Sequence, residues 1–252
     1  MDRAVELEFL LRLGDSTLIL GQRVAEWCGH APALEEDIAM ANIGLDLIGQ
    51  CQHWLGLAAE VEGKGRSADD LAFLRDAWEF RNLLLCERPN TDYAHAITRQ
   101  FFFDAWNAPL LVALSGSADE KVAEIAAKTA KEASYHLDRS RDVFVALGDG
   151  TEESNQRMQA GVDVLWAYAG EMFVEDPVDL AMKEAGVGPD LGALQGAWDA
   201  VVRPAMAEAR LNAPGDPFVH SGGKDGRMHT EHLGHLLATM QWLQRAYPGA
   251  SW

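Results

Sequence analysis

Basic side chains are scarce. Lys and Arg number 21 against 39 Asp and Glu, a formal charge of -18. Such a field repels nucleic acid and anionic membrane, and it favours solubility or a basic protein partner. Cysteine is scarce too: Cys28, Cys51 and Cys86 are odd in number, widely spaced and form no Cys-x-x-Cys. Set among apolar helical neighbours, they are expected to be buried reduced thiols acting as small hydrophobes in a cytoplasmic protein. No apolar run approaches the roughly 18 residues of a membrane span. The start, Met1-Asp2-Arg3-Ala4-Val5-Glu6, carries acids where a signal peptide carries bases. Nucleophile and nucleotide motifs are missing as well. There is no Gly-x-Ser-x-Gly, and Gly222-Gly223-Lys224-Asp225-Gly226 has the glycines of a phosphate loop without a strand ahead of it. No window alternates with period two over a strand's length.

What is present is helix. With 252 residues, 48% of them hydrophobic, the chain is long enough for one substantial core and is expected to form a single domain, residues 1–252. Apolar residues recur at three and four over about 6–29, 34–61, 69–86, 92–114, 119–147, 153–174, 192–211 and 230–246. Residues 179–184 add a further turn or two. On the first helix Leu7, Leu11, Gly14, Leu18, Gly21, Ala25 and Cys28 make one stripe, whose glycines predict close approach of another helix. On the second, Ile38, Ala41, Leu45, Ile48, Leu55 and Ala59 form the apolar side; on the third, Leu71, Leu74, Trp78 and Leu85. Pro109 predicts a kink in the fourth, and Gly148-Asp149-Gly150 stops the fifth. Helices one, two, four and five suit a four-helix bundle about 35–40 Å tall at 1.5 Å per residue, with the remainder packed outside. The fold class is therefore all-α. Residues 212–227, with two prolines and four glycines, read as a functional or mobile loop.

A carboxylate bundle of this kind binds two metals with a Glu from each of two helices and Glu-x-x-His from each of two others. Here the second helix reads Asp46-Leu47-Ile48-Gly49, and the fifth reads Glu132-Ala133-Ser134-Tyr135-His136, with acid and imidazole four apart. Asp104 is the inward acid of the fourth helix, and Asp15 or Glu26 that of the first. Asp46, Gly49, Asp104, Glu132 and His136 thus read as a degenerate site with no metal expected, its inward members Glu132, His136, Asp46 and Asp104 forming a hydrogen-bonded core cluster. A second constellation is His229-Thr230-Glu231-His232-Leu233-Gly234-His235. Its spacing would let a pair share a metal, but Thr230 as a helix cap with contact histidines fits it better. Lys224, Arg227, His229, Glu231 and His232 are the candidate contacts for a partner or substrate. The eight tryptophans read mostly as core anchors, with some at a subunit interface.

Leu13-Gly14-Asp15, Glu26-Trp27-Cys28-Gly29-His30-Ala31-Pro32, Ala41-Asn42-Ile43-Gly44-Leu45-Asp46-Leu47 and Ala130 to Leu137 resemble the C-subunit (PaaC) family of the ring-1,2-phenylacetyl-CoA epoxidase. So do Gly222-Gly223-Lys224, His229 to Gly234 and the closing Pro248-Gly249-Ala250-Ser251-Trp252. The resemblance implies a ferritin-like fold and a place in a bacterial multicomponent monooxygenase of phenylacetate degradation. It also implies that di-iron is held by a catalytic ferritin-like A subunit, that a reductase subunit delivers electrons from NADPH, and that this chain is a structural, non-catalytic subunit. Two other functions compatible with the residues are a di-metal oxygenase active in its own right and an acyl-CoA binding module built on residues 212–227.

Overall fold

The computed structural model describes residues 2–215 and 218–250; Met1, two residues of the 212–227 loop (Asp216 and Pro217), and Ser251 and Trp252 of the closing motif lie outside the described residues. The helices are α1 (Arg3–Ala25), α2 (Leu34–Glu62), α3 (Ala68–Phe73), α4 (Leu84–Glu87), α5 (Tyr93–Leu114), α6 (Glu120–Gly148), α7 (Glu152–Ala169), α8 (Pro177–Glu184), α9 (Leu191–Glu208), α10 (Glu231–Met240) and α11 (Trp242–Ala246). Short 3-10 turns cover Ala77–Glu79 and Gly170–Phe173. Among the described residues there is no strand, so the all-α expectation holds. None of these helices is long and apolar enough to cross a membrane. The chain gathers into two compact units, Met1–Pro89 with Ser221–Trp252, and Asn90–His220.

In the first unit α1 and α2 run antiparallel, because Gly14 faces Leu55, Gly21 faces Leu47 and Ile48, and Gly44 faces Ala25. The glycines of α1 permit this approach: a Cβ on Gly14 would lie 2.5 Å from Leu55 Cδ2. Leu10, Ile19, Leu20 and Val24 are buried with Met40, Leu47, Cys51, Trp54 and Leu55. Two expectations fail at this seam. Ile38 and Leu45, assigned to the apolar side of α2, are exposed, and the covered stripe is Met40, Ile43, Leu47, Cys51, Trp54 and Ala58. Leu55 and Ala59 of the expected side are buried as expected, so the assignment fails in the N-terminal half of the helix, where two apolar faces compete. Cys28 is exposed, because α1 ends at Ala25 and residues 26–30 turn through Gly29 (φ +84°).

The third helix, expected over 69–86, is broken into α3, a 3-10 turn and α4. Side chains of α1 break it. The buried Asp15 carboxylate pairs with Arg75 and accepts from the backbone N–H of Arg81 at 2.8 Å, and Ser16 Oγ accepts from Leu83 N at 3.1 Å. Arg75 also donates to Leu71 O at 2.5 Å and Glu79 O at 3.0 Å. Backbone groups that a continuous helix would pair internally are paired here by side chains. Leu74 and Trp78 consequently stand 50% and 68% exposed.

In the second unit Asp92 caps α5 through His95 N and Asp119 caps α6 through Val122 N. Helix α5 runs through Pro109 and is buried along nearly its whole length. Phe102 meets Trp166 and Trp198 edge-on at centroid distances of 5.7 and 5.5 Å, and Trp198 Nε1 donates to Phe102 O. Helix α6 buries one stripe, Val122, Ala126, Thr129, Ala133, His136, Ser140 and Phe144, against α5 and turns its charged side to water.

Candidate functional site

The second unit brings together two of the expected site residues, Asp104 and His136. Both are buried. Asp104 accepts from Gln100 Nε2 at 2.8 Å and from Ser140 Oγ at 2.8 Å. Burial pushes its carboxyl up to about 6, against the opposing pull of the His136 ring, these two hydrogen bonds and Arg139. Glu132 is not part of the cluster. It is exposed, and Ala133, one position on, takes the inward place. The stripe on α6 runs through 129, 133, 136 and 140, so position 132 lies about 70° from its centre at 3.6 residues per turn.

Asp46 and Gly49 lie on α2, in the first unit, both half-buried; Gly49 has no side chain to ligate with. The α1 acids serve other groups: Asp15 is bound by Arg75, and Glu26 pairs with Arg23 at 3.1 Å. Among the described residues no three His, Cys, Asp or Glu side chains gather as a metal site. One carboxylate, one imidazole, one amide and one hydroxyl around Asp104 do not fit a di-iron centre, which requires four carboxylates and two histidines.

A second polar centre, in the first unit, is built on Glu87, which sequence reasoning missed. Glu87 ends the apolar run Leu84-Leu85-Cys86 and is fully buried. Its Oε1 lies 2.6 Å from His229 Nδ1 and accepts from Asn82 Nδ2 at 2.9 Å. Its Oε2 accepts from both the backbone N and the hydroxyl of Thr230 at 2.6 Å. His229 Nε2 faces Phe80 O at 3.2 Å, so both ring nitrogens face oxygen atoms. Arg23 donates to the Glu87 carbonyl at 3.0 and 3.2 Å and to His232 O at 3.3 Å.

Thr230 precedes α10 at the cap position, but its hydroxyl serves Glu87 and not the helix, correcting the capping expectation. Glu231 and His235 are exposed, and His232 is partly buried, its imidazole held below the usual histidine range by burial and by the charge of Arg88. Lys224 is buried, while Arg227 is exposed and pairs with Asp225 at 2.6 Å. The five candidate contacts are thus split between interior ties and open surface.

Each unit also carries a cleft. One of about 560 Å³ in the first unit is lined by Asp76, Ala77, Leu237, Gln241, Trp242 and Arg245. Another of about 260 Å³ in the second unit is lined by Trp166, Phe173, Trp198, Asp199, Arg203 and Val219, among others. Each offers a single arginine already paired with an aspartate, Arg245 with Asp76 and Arg203 with Asp199. Neither lining contains a Ser, Cys or His that could act as a nucleophile or base.

Residues 1–252 match the family described as phenylacetic acid catabolic protein. The chain is also 50% identical over 244 residues to the C subunit of the 1,2-phenylacetyl-CoA epoxidase of Escherichia coli (strain K12). That alignment covers 97% of this chain and 98% of the relative.

Proposed function

Since this chain belongs to the phenylacetic acid catabolic protein family, whose fold is ferritin-like and helical, we propose that it is the non-catalytic structural subunit of a multicomponent di-iron monooxygenase acting on phenylacetyl-CoA. In this reading a catalytic ferritin-like subunit holds the iron and epoxidises the ring, and a reductase subunit supplies electrons from NADPH. This chain packs on the catalytic subunit and keeps its helices, and so its iron ligands, in place. A partner that binds only the folded catalytic subunit also stabilises it by mass action.

The observation that carries the proposal is the identity to a named epoxidase subunit over almost the full length of both chains. The chemistry of the candidate site supports it. Asp104 is held by the neutral donors Gln100 and Ser140, Glu132 points to water, and Glu87 is saturated by donors of its own chain. Asp104 and Glu87 are thus engaged in holding the protein's own structure together.

The test is reconstitution. The catalytic subunit is purified with and without this chain, and its thermal stability, iron content and turnover of phenylacetyl-CoA are compared. The expected outcome is a stabilised, iron-loaded and active catalytic subunit only in the pair. Equal stability and turnover without this chain would refute the structural role. Iron bound to this chain alone at about two per chain, the stoichiometry of an intact site, would refute its non-catalytic character.

A further inference from the structure

Helix α2 is apolar on two sides, and only one of them is covered by α1. On the other side Leu34, Ile38, Ala41 and Leu45 recur at intervals of four, three and four, a single stripe about 16 Å long at 1.5 Å per residue. Leu34, Ile38 and Leu45 are 70%, 53% and 70% exposed. Single exposed aliphatic residues are ordinary, but a row of branched side chains on one helix face is the mark of a surface awaiting a partner.

We propose that this outward face of α2 seats a helix of the catalytic subunit, an inference that rests on the structural-subunit function above. The alternation of four and three is the spacing of a helix–helix seam, into which the side chains of one facing helix interdigitate. Charge identifies which chain supplies that helix. Across its 29 residues α2 has no Lys or Arg, while Glu35, Glu36, Asp37, Asp46, Glu60 and Glu62 line it. A second copy would set one cation-free acidic helix against another, on chains that each carry a formal charge of -18. The complementary surface is an apolar ridge flanked by Lys or Arg on a different polypeptide.

The experiment uses the chain co-expressed with the catalytic subunit. Ile38→Glu with Leu45→Glu places two charges on the seam without touching the buried stripe, so the free variant keeps its helical circular dichroism and melting temperature. Co-elution with the catalytic subunit is expected to be lost, with a Kd weaker by at least about a hundredfold, the effect of losing two central apolar anchors. Leu180→Glu, on an exposed position of α8, serves as the control and is expected to co-elute like the wild type. A photo-crosslinking residue at position 45 provides a second readout independent of folding: it is expected to trap the catalytic subunit.

If the double variant co-elutes as tightly as wild type, or position 45 traps nothing from the complex, the face is wrongly assigned while the subunit role stands. If wild type itself fails to co-elute, the subunit role is what falls. A self-dimer of the free chain that the two glutamates abolish would overturn the choice of occupant.

Discussion

Asp104→Asn separates a structural acid from a metal ligand. Burial raises the Asp104 carboxyl to about 6 from 3.8, its ordinary value. A folded-state value above the unfolded one means that the folded protein holds the proton more tightly, so stability falls as pH rises between the two values and is level above both. A rise of this size costs about 3 kcal/mol once the group is fully ionised, and about 1.6 kcal/mol near pH 5. Asparagine keeps the shape and carries no charge. Its oxygen accepts from Gln100, and the Ser140 hydroxyl turns to accept from its nitrogen.

The variant is therefore expected to be more stable than wild type above neutrality, and its advantage is expected to shrink as pH falls toward about 4. The value of about 6 already nets the attraction of His136 against burial, so no further offset enters. Urea denaturation of both proteins at about pH 5 and about pH 8 reads the difference, which should widen by roughly 1 kcal/mol over that range. A constant offset would refute the reasoning. A variant that loses stability relative to wild type as pH rises would mean that Asp104 is held ionised by a cation, as a metal ligand is.

Glu87→Gln keeps the shape but turns an amide NH2 toward donors that now meet an acceptor, so unfolding in urea should show a loss of about 2–4 kcal/mol. Limited proteolysis should then cut earlier within residues 221–241, the segment that His229 and Thr230 tie down; an unchanged midpoint and digest would show the centre to be dispensable. Gly14→Ala would put a Cβ 2.5 Å from Leu55 Cδ2 and is expected to cost about 1–3 kcal/mol. Gly196→Ala, on an open face of α9 with nothing within 4 Å, should instead gain about 0.5–1 kcal/mol. Thermal melts of the two variants moving in the same direction would contradict the helix-approach account of Gly14.

Periodicity made most of the helices legible, because long amphipathic segments with strong stops, such as 119–147 before Gly148-Asp149-Gly150, carry both their register and their end in local sequence. It failed where tertiary side chains replace local hydrogen bonds. Nothing within 69–86 says that Asp15 and Ser16, some sixty residues earlier, will take the backbone donors of Arg81 and Leu83. It failed again on α2, where two apolar faces give two equally good stripes. At the candidate site, spacing correctly turned Asp104 and His136 inward but could not resolve one position of rotation at Glu132. Glu87 left only a faint signal, an acid closing the apolar run Leu84-Leu85-Cys86, and its partners His229 and Thr230 lie about 140 residues away.

The three buried carboxylates Glu87, Asp15 and Asp104 differ in what surrounds them. Glu87 meets an imidazole, an amide, a hydroxyl and a backbone N–H, and Asp15 meets a guanidinium, so these carboxylates are compensated where they sit. They organise the irregular stretch between α3 and α5, where helix hydrogen bonding cannot do so. Asp104 is met by two neutral donors and a nearby imidazole, and its raised carboxyl shows that burial outweighs them. A site built to bind a cation would show the reverse, with several acids held close and their charge uncompensated until the metal arrives. In this chain Asp15 and Glu87 are spent on internal ties, while Leu34, Ile38 and Leu45 on the outer face of α2 stand exposed. On the proposed reading, these internal ties hold the frame, and the exposed face of α2 is what the chain offers to a partner.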